Sequence, residues 1–470
     1  MSLPQTEFPS RDRDAPATEA ALRQLEEAYC SFGDTVHYLP QPKFFEACDG
    51  SFLFDAEGRR YLDLQMWYSA VNFGYRNPRL NDALLRQASR LPQVASQYLH
   101  REKVELAAMI ARDMQHKFGR KGRVHFNVGG SQAVEDSLKL VRNASGGKSL
   151  MFAFEGGYHG RTLGASAITS SYRYRRRFGH FGERAHFIEF PYHFRGPRGM
   201  SHEEYGLQCV RRFERLFETE YNGVWDPKAG QGEYAAFYVE TIQGTGGYVI
   251  PPRNFFLELK KVLDRHGILL VVDEIQMGFY RTGRLWSIEH FGVQPDVLVF
   301  GKALTNGLNP LSGLWAREEL INPQVFPPGS THSTFAANPL GTAVGLETMK
   351  MLAEGDYETS VVRKGARFLD GLRELQARWP QLGDVDGLGL ALRCEICQAD
   401  GFTPDRALLD RMVEEGLKAN LKIGGRRHGL VLDVGGYHKN VITLAPSLEI
   451  SDSEIDLALR LLDALFRRCV

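Results

Sequence analysis

The sequence ILLVVDE at residues 268–274 is followed by VLVFGK at residues 297–302. Each is an unbroken apolar run that ends in an ionisable residue, Asp273 in the first and Lys302 in the second. Runs of this kind are typical of strands that are buried on both faces of a parallel sheet. Because open α/β sheets bind ligands at the carboxyl ends of their strands, the stretch predicts a site that contains both residues.

Two interpretations of this pair are open. A lysine can form a Schiff base with pyridoxal phosphate while an acid keeps the pyridine nitrogen of that cofactor protonated. A buried ion pair between Asp273 and Lys302 is the alternative. The two residues alone do not distinguish these interpretations, so the remaining motifs decide.

Length and charge narrow the class of protein. The chain has 470 residues, which is too long for one compact core and favours two domains. Lys+Arg and Asp+Glu are both 57, so no overall charge attracts nucleic acid or an anionic membrane. Residues 1–18 are polar and contain prolines, unlike a signal peptide, and no run of about 18 apolar residues predicts a membrane span. We therefore expect a cytoplasmic protein that binds neither membranes nor nucleic acid.

The six cysteines are scattered and predict no disulfide framework. Cys394 and Cys397 have the spacing of a redox or zinc motif. An isolated pair cannot complete a tetrahedral site, so we expect no metal.

A glycine motif follows a predicted strand at residues 124–127. Gly129, Gly130 and Ser131 stand between this strand and a predicted helix at residues 132–142. Glycines let backbone N–H groups approach a ligand, and the dipole of the helix favours an anion. The pattern predicts a phosphate site, and the alternative is a plain turn in which Ser131 caps the helix.

Aromatic residues occur in three places. Tyr158, in a loop flanked by glycines, could stack on a planar ring or be an exposed turn residue. Met66, Trp67 and Tyr68 could form a pocket wall or belong to the core. Residues 172–177 interleave aromatics with arginines, which we interpret as a surface or subunit-contact loop rather than a nucleic-acid site.

Six motifs occur in one order along residues 52–465. They are Gly129-Gly130-Ser131, Tyr158-His159-Gly160, Glu240, Asp273-Glu274-Ile275-Gln276 with Gly278, Lys302, and Thr334-Phe335 with Asn338-Pro339. The sequence resembles the class III (ω-type) aminotransferases, pyridoxal-phosphate enzymes of fold type I. The resemblance implies an α/β fold: a large domain (76–342) with a mostly parallel seven-stranded sheet flanked by helices, and a small α+β domain from both termini (1–75 and 343–470).

The resemblance also implies a role for each matching residue. Lys302 would hold the cofactor and then shuttle a proton, and Asp273 would keep the pyridine ring protonated. Thr334 would reach the phosphate of a neighbouring subunit, which implies a homodimer with sites at the interface, or a tetramer of such dimers. The other expected cofactor residues are Gly130 and Ser131 at the phosphate, Tyr158 and Ile275 on the two ring faces, Gln276 at the ring hydroxyl, and Glu240 near the ring.

One departure from the family bears on the substrate. Many members carry an arginine for the substrate carboxylate where this chain has Thr443, and a threonine offers no charged fork. Arg426 or Arg427 could replace it as a mobile loop arginine, or the two could be a solvated surface pair. Met66, Trp67 and Tyr68 resemble the pocket wall of the branch that uses amines and β-alanine.

We therefore expect a ping-pong aminotransferase that moves an amino group from a primary amine, diamine or ω-amino acid to a 2-oxo acid. Pyruvate is the expected acceptor because the second carboxylate of 2-oxoglutarate would lack its arginine. An amino-acid racemase or epimerase of the same family is the alternative, since both reactions need Lys302 and Asp273. A third reading, a cofactor-binding regulator fused to a DNA-binding domain, is disfavoured because no N-terminal helix-turn-helix extension is seen.

Overall fold

The structure, a computed structural model, describes residues 18–31, 33, 42–175, 178 and 185–470, and within them the strands form three sheets. In chain order the strands are β1 Ala47–Asp49, β2 Phe52–Phe54, β3 Arg60–Asp63, β4 Gly122–Asn127, β5 Leu150–Phe154, β6 His186–Ile188, β7 Tyr234–Val239, β8 Leu269–Asp273, β9 Val297–Phe300, β10 Ser312–Arg317, β11 Leu382–Leu388, β12 Ala391–Ile396, β13 Leu421–Ile423, β14 Arg426–Val431, β15 Asp433–Gly435 and β16 Val441–Leu444.

The central sheet has seven strands in the order β4-β10-β9-β8-β7-β5-β6. β10 runs antiparallel to both of its neighbours, and the pairs β9–β8, β8–β7, β7–β5 and β5–β6 are parallel. This arrangement confirms the predicted α/β fold with a mostly parallel seven-stranded sheet.

Both faces of this sheet are buried, so side chains on both sides of its strands are apolar and the sequence of each strand is an unbroken apolar run. Successive residues of a strand point to opposite faces. In β8, Leu270 and Val272 belong to one hydrophobic cluster and Val271 belongs to another. The first cluster includes Phe256 and Leu259 of a covering helix.

Helices pack on the sheets and connect their strands. The α-helices are Glu19–Tyr29, Pro78–Arg90, Arg101–Phe118, Gly130–Ala144, Leu163–Ala167, His202–Glu214, Phe255–Arg265, Glu318–Ile321, Pro339–Glu354, Tyr357–Arg378, Arg406–Leu417 and Asp452–Cys469. The short 3-10 helices are Tyr172–Tyr174, His193–Arg195, Arg215–Phe217, Glu220–Asn222, Ser287–Phe291 and Lys302–Thr305. No helix of the described residues is long and apolar enough to cross a membrane.

The other two sheets are built from the ends of the chain, and one of them combines both ends. One has the order β1-β2-β3-β14-β13, and its β3 pairs in parallel with β14, opposing Tyr61 to Gly429. The other, β11-β12-β16-β15, is built from the C-terminal part alone. The proposed boundaries at 75/76 and 342/343 stay a prediction. Residues 1–17, 32, 34–41, 176–177 and 179–184 lie outside the described residues, and they include most of the polar N-terminal segment and part of the 172–177 run.

Arg281 connects these parts of the molecule. Its side chain is fully buried, and its guanidinium donates to the carbonyl oxygens of Leu390 at 3.1 Å and Pro446 at 2.6 Å and to Oδ1 of Asn72 at 2.5 Å. Burial lowers the pKa of Arg281 to about 10. One side chain therefore satisfies three acceptors from distant segments of the chain.

Removing Arg281 should destabilise the fold. In Arg281→Ala, three buried acceptors lose their donor, so we expect the free energy of unfolding to fall by about 3 kcal/mol or more. Arg123→Ala is the control, because Arg123 is exposed in its pair with Glu318 and should cost about 1 kcal/mol or less. Urea unfolding followed by circular dichroism measures both values. Equal losses in the two variants would contradict a connecting role for Arg281.

Candidate active site

The register of two neighbouring strands brings Asp273 and Lys302 to one edge of the central sheet. β8 and β9 are parallel, and Asp273 lies opposite Val299, so Lys302 follows three residues later (302 − 299 = 3). Lys302 has φ 41° and begins a short 3-10 helix. A left-handed backbone at a lysine costs about 1–2 kcal/mol, and such conformations concentrate at functional sites.

Asp273 is held by hydrogen bonds rather than by the lysine. Its Oδ2 lies 2.9 Å from Nδ1 of His159, and its Oδ1 accepts from the backbone N–H of Ile275 at 3.1 Å. Since a carboxylate only accepts, Nδ1 of His159 carries the proton. Among the described residues no ion pair joins Asp273 to Lys302, so the simple ion-pair interpretation does not describe this site.

His159 is a site residue to which the sequence analysis gave no role. It is buried, and its backbone N–H donates to Oγ1 of Thr169 at 2.9 Å. Its Nε2 is buried without a hydrogen-bond partner in the described structure. The motif Tyr158-His159-Gly160 contains this histidine, but chain spacing gave no sign that it meets an aspartate 114 residues away.

Glu240 is a second buried carboxylate of the site. Its Oε2 accepts from the backbone N–H of Tyr158 at 3.0 Å, and its Oε1 accepts from that of Gly244 at 3.2 Å. Burial raises its pKa to about 7, and the charge of Asp273 acts in the same direction. Glu240 thereby fixes the start of the loop that carries the half-buried ring of Tyr158.

The amine of Lys302 lies in a desolvated environment. Burial lowers its pKa, and the negative charges of Asp273, Glu240 and Asp433 oppose that change. A lysine that readily loses its proton is a nucleophile and a proton acceptor at neutral pH.

A helix N-terminus faces the same edge of the sheet. Gly130 begins the helix Gly130–Ala144, and a Cβ at this position would lie 2.8 Å from Cδ1 of Ile275. Gly160 has φ 125°, and a Cβ there would collide with Oγ of Ser131. The hydroxyl of Ser131 accepts from the backbone N–H of Arg161 at 3.2 Å. The close approach that glycine permits leaves the first N–H groups of the helix available to an anion.

These observations test whether the predicted cofactor fits. Pyridoxal phosphate needs an amine for its aldehyde, an acid for its ring nitrogen and an anion site for its phosphate. Lys302, Asp273 and the helix that begins at Gly130 supply these groups along one edge of the sheet. Nε2 of His159, which is buried without a hydrogen-bond partner in the described structure, is a further polar atom on the ring that contacts Asp273. The residues of this site therefore fit pyridoxal phosphate.

Gln276 is oriented by a tyrosine that the sequence analysis did not single out. Its Nε2 donates to the hydroxyl of Tyr248 at 2.9 Å, and burial raises the pKa of Tyr248 to about 12. A Cβ at Gly244 would collide with Oε1 of Gln276. The hydrogen bond to Tyr248 orients the Gln276 amide, and the glycine at 244 leaves room for its oxygen.

The predicted pocket wall is a left-handed turn. Residues 66–69 all have φ between 44° and 63°. The carboxylate of Asp63 holds the turn by accepting from the backbone N–H of Met66 at 3.0 Å. Met66 is buried, whereas Trp67 is 56% exposed, and its ring lies 3.1 Å from where a Cβ of Gly307 would stand. Trp67 thus lies over the loop that begins at Lys302, and Tyr68 is half-buried beside it.

Thr443 is buried and bound to an acid. Its hydroxyl donates to Oδ2 of Asp433 at 2.6 Å, and Nε2 of Gln65 donates to Oδ1 of the same carboxylate at 3.2 Å. The sequence analysis assigned no role to Asp433. The position at which the resemblance led us to expect an arginine is here a threonine bound to a carboxylate.

The remaining predicted residues lie on exposed segments. Arg426 and Arg427 are exposed at the start of β14, and Arg426 is one of several arginines that help to lower the pKa of His428, after burial. Thr334 is also exposed, in the loop before the helix Pro339–Glu354. Substrate binding by the arginines and a subunit contact by Thr334 stay predictions.

Glu274 has a structural position, although it adjoins Asp273. Its carboxylate is fully buried and accepts from the backbone N–H groups of Ser287 at 2.9 Å and Ile288 at 2.8 Å. Burial raises its pKa to about 8. The two adjacent acids therefore have different partners, Glu274 the start of the 3-10 helix Ser287–Phe291 and Asp273 the ring of His159.

Comparisons with known proteins agree with this site. Residues 35–466 match the family described as Aminotransferase class-III. An alanine/serine racemase of Pyrococcus horikoshii is 31% identical over 416 residues, which cover 88% of this chain and 83% of the racemase. A probable 4-aminobutyrate aminotransferase of Bacillus subtilis is 30% identical over 421 residues, which cover 89% of this chain and 92% of that aminotransferase. An amine transaminase from an uncultivated Pseudomonas species, solved in a PLP-bound form, superposes with a TM-score of 0.82 at 27% identity, covering 94% and 98% of the two chains.

Glu274 should make stability depend on pH. Its folded pKa of about 8 lies above the ordinary value of 4.5, so its contribution to stability is complete below about pH 4.5 and is lost as pH rises to about 8. Glu274→Gln removes this titration and should flatten the decline of the thermal midpoint over that range. Glu220→Gln, at an exposed position, should keep the wild-type slope. Parallel profiles for wild type and Glu274→Gln would contradict the assignment.

Proposed function

The chain belongs to the class III aminotransferases, which depend on pyridoxal 5′-phosphate, and we propose that it moves an amino group from a primary amine, diamine or ω-amino acid to pyruvate in ping-pong order. The observation that carries the proposal is the placement of Lys302 beside Asp273, at the ends of parallel neighbouring strands and next to a helix N-terminus. Desolvation of the lysine supports its use as a nucleophile.

Lys302 performs two tasks in this proposal. Its Nζ would first hold the cofactor, and once an amine donor has displaced it, the free amine would accept the proton from the donor carbon and deliver it to a different carbon, C4′ of the bound cofactor. When bound, pyridoxal phosphate carries the amino group and withdraws electrons from that carbon. Burial lowers the pKa of Lys302, against the opposing charges of Asp273, Glu240 and Asp433, and this direction favours the neutral amine that a base requires.

Asp273 keeps the ring nitrogen protonated, and His159 supports it. The hydrogen bond from His159 orients the carboxylate at its buried position. Further proposed cofactor residues are Gly130 and Ser131 at the phosphate, Tyr158 and Ile275 on the ring faces, Gln276 at the ring hydroxyl, Glu240 near the ring, and Thr334 reaching across a homodimer interface.

The choice of pyruvate rests on Thr443. Its hydroxyl is engaged with Asp433, so this position offers no cation to the second carboxylate of a larger oxo acid. Met66, Trp67 and Tyr68 form the proposed donor pocket wall. Arg426 or Arg427 is the proposed replacement for the missing arginine, acting through a loop movement.

Racemisation is the second candidate, because a racemase is among the relatives of this chain. Racemisation also needs Lys302 and Asp273, but the proton returns to the carbon that it left. Purified enzyme mixed with an amine and pyruvate distinguishes the two reactions. Formation of alanine supports amino transfer. Loss of optical rotation from an L-amino acid, without alanine formation from the amine, supports racemisation.

Replacing Lys302 should separate cofactor binding from catalysis. Lys302→Ala should still bind pyridoxal phosphate through the phosphate and ring contacts, but its visible Schiff-base absorbance should be absent. Turnover should fall by about a hundredfold to ten-thousandfold, because the amine that carries the proton is missing. Lys228→Ala, in an exposed turn, is the control and should match the wild type in absorbance and alanine formation. Retained turnover in Lys302→Ala would remove the basis of the proposal.

A further inference from the structure

The loop that leads from β5 to Tyr158 is held by donors from two parts of the chain. The carbonyl oxygen of Glu155 in this loop accepts from Nε2 of Gln243 at 2.5 Å and from the hydroxyl of Tyr437 at 2.8 Å. Gln243 lies in the loop after β7 of the central sheet, whereas Tyr437 lies in the turn between β15 and β16 of the C-terminal sheet. One carbonyl group therefore joins the C-terminal sheet to the loop of Tyr158.

The hydroxyl end of Tyr437 fits against a glycine of the same loop. Gly156 has φ 77°, and a Cβ at this position would collide with the ring of Tyr437. The hydroxyl has one proton and two acceptors within reach, and the Glu155 carbonyl is the nearer, since Oε1 of Gln243 lies at 3.2 Å. Burial raises the pKa of Tyr437, so its hydroxyl keeps the proton that it donates. The ring packs edge to face on Tyr192, with 5.5 Å between the two centroids.

The turn that carries Tyr437 is fixed on both sides. Before Tyr437, the backbone N–H of Gly436 donates to the carbonyl oxygen of Thr245 at 3.0 Å, in a loop of the central sheet. After it, the amide of Asn440 donates to the carbonyl oxygen of Ile396 at 2.7 Å, at the end of β12. Because the backbone of the turn is already fixed, ordering the tyrosine side chain costs little further entropy.

We propose that Tyr437 is a positioning residue, which fixes the Tyr158 loop from the C-terminal sheet and thereby holds the Tyr158 ring against the cofactor. The inference rests on the proposed function, in which Tyr158 stacks on one ring face of pyridoxal phosphate. Within the central part of the chain, the N–H of Gly156 donates to Oγ of Ser170 and that of Tyr158 donates to Glu240. A stacking ring needs a fixed backbone to keep its geometry, so a looser loop weakens its hold on the cofactor.

Titration of the apoenzyme with pyridoxal phosphate, followed by quenching of tryptophan fluorescence, measures this effect. Tyr437→Phe keeps the ring on Tyr192 but lacks the hydroxyl, so we expect the dissociation constant of the cofactor to rise about threefold to tenfold, as for one lost hydrogen bond. Tyr221→Phe is the matched control, because Tyr221 is 91% exposed, and it should leave the constant unchanged. An unchanged constant in Tyr437→Phe overturns the inference.

Amide hydrogen exchange of the full chain without cofactor gives a readout that is independent of activity. In Tyr437→Phe the amides of residues 156–159 should exchange severalfold faster, because their loop has lost a contact, whereas those of β8 should keep the wild-type rate. Unchanged exchange at residues 156–159 overturns the inference. Equal acceleration at β8 does so too, because Tyr437 would then support the whole fold rather than this loop.

Replacing Tyr158 separates this inference from the proposed function. Tyr158→Leu should itself raise the dissociation constant of the cofactor, and adding Tyr437→Phe should then have little further effect, because Tyr437 acts through Tyr158. An equal effect of Tyr437→Phe with and without Tyr158 overturns the inference alone. Unchanged cofactor binding in Tyr158→Leu overturns the role that the proposed function gives to Tyr158, and the inference with it.

Discussion

The parallel pairing of β8 with β9 is the constraint on which the site depends. It fixes Asp273 opposite Val299 and so sets the distance along the edge between the acid and Lys302. A shift of the register by one residue would turn Asp273 toward the face now occupied by Glu274. The burial of both faces of these strands opposes such a shift, because each alternate residue is committed to a hydrophobic cluster.

The second constraint is electrostatic. Three carboxylates, Asp273, Glu240 and Asp433, act on one buried amine, and each would be costly to bury alone. Their hydrogen bonds differ in kind. Asp273 is held by His159, Glu240 by two backbone N–H groups, and Asp433 by a hydroxyl and an amide. The three carboxylates are therefore held by different parts of the chain: one by the histidine of the Tyr158-His159-Gly160 motif, one by backbone N–H groups of Tyr158 and Gly244, and one by side chains of Thr443 and Gln65.

The two sides of the site are built from different parts of the chain. The cofactor side comes from strand ends and a helix N-terminus of the central sheet, where the backbone positions are rigid. The proposed pocket wall is the left-handed turn at residues 66–69, and Asp433 and Thr443 stand in β15 and β16 of the C-terminal sheet. Neither of these parts contributes to the pairing of β8 with β9.

The sequence by itself determined the central sheet and the residues at its edge. Asp273 and Lys302 follow apolar runs, and such runs predict buried strands from near neighbours in the chain alone. Gly130 and Ser131 stand in a strand–glycine–helix pattern that can likewise be recognised without knowledge of distant contacts. The capping box of Ser451 and Glu454 at the start of the last helix is likewise a pattern between near neighbours in the chain. Only the tertiary structure decided which distant side chains meet: His159 with Asp273, Arg281 with three separate acceptors, and Thr443 with Asp433. The physical reason is that hydrogen bonds across the fold depend on packing, whereas periodicity and capping depend on near neighbours in the chain.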